Sequence, residues 1–244
     1  MQHARDKRIT FDEPTHTYYI DSIKVKQSVT EFISQFFKEF DSEKVIEKWY
    51  SYWQTNENSK YFGMAKEEIS VYWKQVGEES RDRGTQLHKL IEEYETTNVI
   101  SHNMKNLVEF RQYLHFKKEF SNLEILKNEY VIFDEELSVA GTVDCIAKDT
   151  QRDELYIFDW KRVKEIKETS QDNALYPLEH LANTNYWKYA LQLNMYKYML
   201  EKFYDIKISG LYIVQFHEEL EDFNVVKIVN MEYEIHKILK YLEN

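Results

Sequence analysis

Strands and helices interleave along this 244-residue chain, which predicts an α/β protein. Three observations carry that reading. Residues 138–147 and 155–161 are apolar runs joined by a polar turn of Asp149, Thr150, Gln151, Arg152 and Asp153, as expected of two neighbouring strands. Residues 186–203 place Tyr189, Gln192, Tyr196, Met199 and Phe203 at helical spacing. The composition, 43% hydrophobic and 16% aromatic, suits one core of ordinary size.

From the N-terminus, strands at 17–20 and 23–25 form a small hairpin that enters a helix at Ser28 or Thr30. Residues 31–79 read as helical and rich in Phe, Trp and Tyr, among them Phe32, Phe36, Phe37, Phe40, Trp49, Tyr52, Trp53, Tyr72 and Trp73. Such a set is either the core of a helical subdomain or a platform that stacks unpaired bases. In the helix at 81–95, Leu87, Leu90, Ile91 and Tyr94 form the core stripe, and His88 borders it about 60° from Ile91. Residues 128–133 are an apolar strand carrying Glu129. A strand at 208–216, an acidic turn, a strand near 225–229 and a helix from Glu232 complete the chain. The expected organisation is one compact domain, with an N-terminal hairpin and helical elaboration at 1–80 and a core at 81–244. No internal repeat or low-complexity linker interrupts it.

Charges inside the apolar strands point to chemistry. Side chains alternate across a strand, so Asp159 and Lys161 share a face with Leu155 and Ile157, while Tyr156, Phe158 and Trp160 face the other way. On the preceding strand Asp144 shares a face with Thr142 and Ile146. Burying such charges costs several kcal/mol unless they are paired or hold a metal. A structural ion pair of Lys161 with Asp144 or Asp159 is one explanation. A divalent cation held by the two carboxylates, with Lys161 stabilising a developing charge, is the other. His88 is likewise a half-buried filler or a ligand, and Gln192, inside a stripe of large apolar residues, needs hydrogen-bond partners.

The order of these elements, G-T-x-L-H on a helix, G-T-V-D and F-D-W-K on strands, then Q-L-x-x-x-Y on a helix, resembles the PD-(D/E)xK nuclease superfamily, in its RecB-like branch. The resemblance spans about 81 to 216, and four motifs occur in the family's order. It implies a restriction-endonuclease-like core, a mixed central β-sheet flanked by helices. It places metal ligands at His88, Asp144, Asp159 and the backbone carbonyl of Trp160. Lys161 matches the catalytic lysine, and Gln192 with Tyr196 match the downstream motif. Val143 stands where the family name has proline, a departure that many RecB-like members share, and Glu129 is a further candidate for the acidic cluster. The hairpin with His16 and Tyr18, followed by Ser28, Val29 and Thr30, is similar to the front of some phage-type members.

The implied activity is a DNA nuclease, an exonuclease on single-stranded or broken ends, using one or two Mg²⁺ or Mn²⁺ ions. An RNA endonuclease of the cap-snatching type and a catalytically silent binding module are the alternatives. Cys145 is the sole cysteine. It excludes an internal disulfide and a four-cysteine iron–sulfur cluster, so the resemblance is to the cluster-free exonucleases. The net charge of −11 is unusual for a nucleic-acid partner, but Arg81 and Arg83 before the histidine helix and Arg162, Lys164 and Lys167 after the second strand are candidates for a local phosphate groove, with Tyr196 as a further contact. No apolar run reaches membrane-spanning length and the N-terminus lacks the apolar segment of a signal peptide, so an intracellular protein, of phage or viral origin among the options, is expected.

Overall fold

The structure is a computed structural model, and residues 3–243 are described. After a 3-10 turn at Ala4–Lys7, strands β1 (Ile9–Asp12), β2 (Thr17–Ile20) and β3 (Ile23–Lys24) form an antiparallel three-stranded sheet. The expected hairpin is therefore extended by β1, which precedes the turn-forming sequence Asp-Glu-Pro-Thr. A short strand β4 (Gln27–Ser28) leads into helix α1 (Val29–Ser34). Ser28 caps α1: its side chain accepts from the Glu31 N–H while the Glu31 carboxylate accepts from the Ser28 N–H.

Helices α2 (Ser42–Thr55), α3 (Lys66–Thr97), α4 (His102–Asn106) and α5 (Val108–Glu119) follow. The helix expected at 81–95 is thus the C-terminal half of a 32-residue one. Then come β5 (Leu123–Asp134), β6 (Val139–Asp149), β7 (Glu154–Arg162), α6 (Asn185–Phe203), β8 (Gly210–Phe216), β9 (Asn224–Lys227) and α7 (Glu232–Leu242). Strands β4 to β9 form one sheet of mixed orientation. β4 pairs with β6 and β7 with β8 in parallel, and β5–β6, β6–β7 and β8–β9 are antiparallel.

Helices cover both faces, because the strands are apolar on both. On one face Ile146, Ile157 and Ile213 pack with Val29 and Phe32 of α1, Tyr196 and Met199 of α6 and Ile235 and Ile238 of α7. On the other, Cys145, Phe158, Trp160 and Phe216 pack with Leu87 and Ile91 of α3 and Phe110, Tyr113 and Phe116 of α5. The alternation read for residues 155–161 assigns each side chain of β7 to the correct face. No helix among the described residues is long and apolar enough to cross a membrane.

The chain separates into compact units along a different line from 80/81. One unit comprises residues up to 38 and from 87 onward, and the other residues 39–86. The N-terminal segment joins the larger unit for a physical reason: β4 pairs with Val139 and Ala140 of β6, and Phe32, Phe36 and Phe37 are buried in its core. The smaller unit has its own aromatic centre. Trp53, Tyr61 and Trp73 interlock, and the Trp73 indole N–H donates to the Tyr61 hydroxyl at 2.8 Å. Trp49 and Tyr52 of the same unit are exposed, so its aromatic residues are only partly a core.

Gly141 lies where β6 runs against α6. A Cβ there would come within 2.8 Å of the Tyr196 ring and 3.1 Å of Val29 Cγ2. Gly141→Ala is expected to lower stability by about 1–3 kcal/mol through overpacking. Urea denaturation measures the loss, and an unchanged midpoint would show that α6 yields freely.

Candidate functional site

The site sits in a fork of the sheet. One edge of β6 is paired with β5 along its length, but the other is shared: β4 takes Val139 and Ala140, and β7 takes Cys145 to Asp149. Between them, residues 141–144 have no partner strand on that edge. β7 runs on past Phe158 paired only with β8. The Trp160 peptide groups, which in a continued ladder would bond to β6, find side chains instead. Its N–H donates to Asp144 Oδ2 at 2.8 Å, and its carbonyl accepts from His88 Nε2 at 2.8 Å.

His88 reaches this point from α3, one residue after Leu87, which is fully buried in the core on that side. Its Nδ1 lies 3.3 Å from Glu129 Oε1 and 3.7 Å from Asp144 Oδ2. Glu129 and Asp144 face each other across β5 and β6, between the pairs Asn128–Cys145 and Tyr130–Val143. Glu129 adopts a positive φ of 44°, which costs a non-glycine residue about 1–3 kcal/mol. Ligand atoms of His88, Glu129 and Asp144 all lie within 4.8 Å of one another.

Asp159 stands on the adjoining strand and is engaged by Lys161, whose Nζ is 2.9 Å from Oδ1 and 2.7 Å from Oδ2. Only the contact with Oδ1 is aligned as a hydrogen bond, and Oδ2 is buried without an aligned donor. Lys161 also lies 5.1 Å from the ring centre of Tyr189 on α6. One turn on, the Gln192 amide donates to the Tyr196 hydroxyl at 3.1 Å. The Tyr18 hydroxyl of β2 meets Thr142 Oγ1 at 2.9 Å, in the unpaired stretch of β6.

These charges perturb one another strongly. Burial pushes the Asp159 carboxyl up to about 6, against the opposing pull of Lys161, and raises Asp144 as well despite His88 and Lys161. Burial disfavours the His88 imidazolium, but Asp144 and Glu129 outweigh it and hold its pKa at about 9. Asp159 and Asp144 likewise overcome the burial of Lys161 and raise it above the usual lysine range. His88, Glu129 and Asp144 form a mixed nitrogen and oxygen donor set of a kind that Mg²⁺ or Mn²⁺ accepts, with Asp159 on the adjoining strand.

His88, Asp144, Asp159, Trp160 and Lys161 are therefore brought together. Glu129 joins His88 and Asp144 in the tightest group, while Asp159 faces Lys161. Gln192 is half-buried and bonded within its own stripe. Two expected nucleic-acid contacts are corrected. The Arg162 side chain is only 6% exposed, donates from Nε to the fully buried Glu109 at 2.6 Å and reaches Glu218 at 3.3 Å, so its charge is spent inside the protein. Tyr196 is 3% exposed, its ring against Gly141, and has no surface to offer. Arg81 is exposed and Arg83 half-buried on α3, both in the smaller unit. Tyr18, Thr142 and Tyr189 were not singled out as site residues; the signals were the Tyr18 of the H-x-Y hairpin and the place of Tyr189 on the Gln192 stripe.

No family model matches this chain, and no curated protein matches it. Among solved structures, one described as "Crystal structure of SSO0001" is 14% identical, with 89% of this chain and 76% of that chain covered at a TM-score of 0.37. A likeness at that level carries no argument about fold or activity.

The raised His88 pKa has a consequence for stability. A histidine at about 6.5 unfolded and about 9 folded binds its proton more tightly in the native state. Its contribution is therefore full below pH 6.5 and is lost as pH rises through 9. In EDTA the protein should lose on the order of 1–3 kcal/mol between pH 6.5 and 9.5. The thermal midpoint of His88→Gln should be flatter over that range, and an equally steep fall in the variant would assign the loss elsewhere.

Proposed function

We propose that this chain is a divalent-metal-dependent DNA nuclease built on a PD-(D/E)xK core, acting as an exonuclease. The observation that supports it best is the fork between β6 and β7. There His88, Glu129, Asp144, Asp159 and Lys161, drawn from α3 and three strands, converge on the peptide of Trp160. A structural ion pair needs only Lys161 and one aspartate. It gives no reason to bring a histidine and a third carboxylate, the latter at a positive φ, to the same place.

In this reading water attacks phosphorus, the phosphorus–oxygen bond to the leaving strand breaks, and the leaving oxygen gains a proton. His88, Glu129 and Asp144, with Asp159 beside them, would hold a divalent cation, which would supply Lewis acidity towards the phosphoryl group and a more acidic water. Lys161, held as an ammonium by Asp159 and Asp144, donates to a phosphoryl oxygen and stabilises the charge that grows there. Asp159 orients that ammonium. Tyr196, kept neutral by its burial, accepts from Gln192 and so fixes the amide facing the reaction.

Incubation with end-labelled single- and double-stranded DNA and RNA, in Mg²⁺, Mn²⁺ or EDTA, tests the reading. DNA should be cleaved only with metal, and Asp144→Asn, Asp159→Asn and Lys161→Met should each lower the rate by about 10²-fold or more while the protein stays folded. Cleavage at the parental rate by Asp159→Asn would sink the assignment, and a preference for RNA would redirect it to the endonuclease class.

Gln192→Leu asks whether the amide acts or merely packs. It keeps the size and removes the donor to Tyr196, so a folded protein of equal or greater stability with a large loss of rate is expected. Parental cleavage by this variant would make Gln192 a structural residue.

A further inference from the structure

The cations around the fork are nearly all neutralised by the chain itself. Lys161 is paired with Asp159, Arg162 with Glu109 and Glu218, Lys164 with Glu219, Lys167 with Glu165, and Lys38 with Asp172. Lys188 is different. Among the described residues no carboxylate comes within ion-pair distance of it, and the ring of Phe37 lies 5.4 Å from Nζ to the centroid. It is half-buried, and burial alone draws its pKa below the usual lysine value, with no acidic group close enough to oppose that. Phe37 is buried in the core, so the ring beneath the ammonium is a fixed apolar support. In a chain with 43 acidic residues and a net charge of −11, a partly desolvated ammonium whose only offset is the face of Phe37 has capacity left for an anion.

Its position says what would offset it. Lys188 immediately precedes Tyr189, whose ring faces Lys161, and lies one turn before Gln192 on α6. Along the helix it is about 6 Å from Gln192 towards the N-terminus. We infer that Lys188 holds the phosphodiester group next to the scissile one in the substrate strand, with Phe37 as the support that keeps its ammonium in place. The inference rests on the nuclease reading and adds to it a backbone contact, the role that Arg162 does not fill. A lysine acts here as a point charge, so it carries no base preference, and its contribution is salt-dependent.

Equilibrium binding of a short single-stranded oligonucleotide, measured with Ca²⁺ across a salt series, tests this. Each phosphate contact contributes about 0.7 to the slope of log affinity against log salt on single strands. Lys188→Gln should reduce the slope by about that amount, so the loss of affinity is several-fold at low salt and vanishes at high salt. Lys188→Arg should restore the parental slope, and Lys38→Gln, at an already paired lysine, should leave it unchanged. A parental slope in Lys188→Gln would overturn the role of Lys188 while leaving the nuclease reading standing. Failure of the parental protein to bind or cleave any oligonucleotide would overturn both. Lys188-dependent binding of inorganic phosphate, with an unchanged slope on DNA, would also overturn the assignment, since it marks a free-anion site.

Discussion

Past Cys145 and Phe158 the ladder between β6 and β7 ends, and the peptide of Trp160 is left facing a space where a partner strand would lie. Buried peptide groups must be bonded. The chain meets that requirement with Asp144 on one side and His88 on the other, and each draws further charge after it. Asp144 brings its neighbour Glu129 across the β5–β6 pair, and Asp159, one residue before Trp160, brings Lys161. A strand that separates from its neighbour thus determines which side chains can meet and how closely.

The electrostatics of the fork are local. The imidazolium and the lysine nearly balance the three carboxylates, and most cations nearby are bound to acids of the same chain. Long-range attraction of a polyanion to a protein of this net charge is weak, because the steering field follows the summed charge. On the nuclease reading, affinity comes from short contacts made after encounter, which places weight on the cation and on the few uncompensated ammonium groups. The same cluster limits stability: two carboxylates raised by burial oppose folding in their ionised forms.

Much of this was legible in the residues. The period-two alternation of Leu155, Ile157, Asp159 and Lys161 against Tyr156, Phe158 and Trp160 assigned both faces of β7, because strand geometry leaves little freedom once the pattern is clean. The stripe of Leu87, Leu90 and Ile91 placed His88 at the edge of a core. What escaped depended on contacts distant in sequence. Nothing near Arg162 announces that Glu109, 53 residues earlier, will bury with it. Tyr196 reads as a motif residue, but the absence of a Cβ at Gly141 is what draws its ring inside. Strand β1 was missed since Asp12, Glu13 and Pro14 look like a loop, and its pairing with β2 is what defines it. The joining of the N-terminal segment to the larger unit depends on a contact of the same kind: β4 is two residues long and owes its existence to β6.

That last pairing has a consequence for the order in which the protein can be made. Lys26 bonds to Ser138, 112 residues later, and Val29, Phe32, Ile33 and Phe37 share a core with Val139 of β6 and Tyr196 of α6, far along the chain. During synthesis the N-terminal segment therefore leaves the ribosome well before β6 and α6 exist to receive it. Closing contacts of such separation is slow, and exposed apolar segments are prone to associate in the interval. Residues 39–86, whose aromatic centre is assembled from neighbours in sequence, need no such delay. The local contacts of residues 39–86 can thus close before the long-range ones that join the two ends of the larger unit.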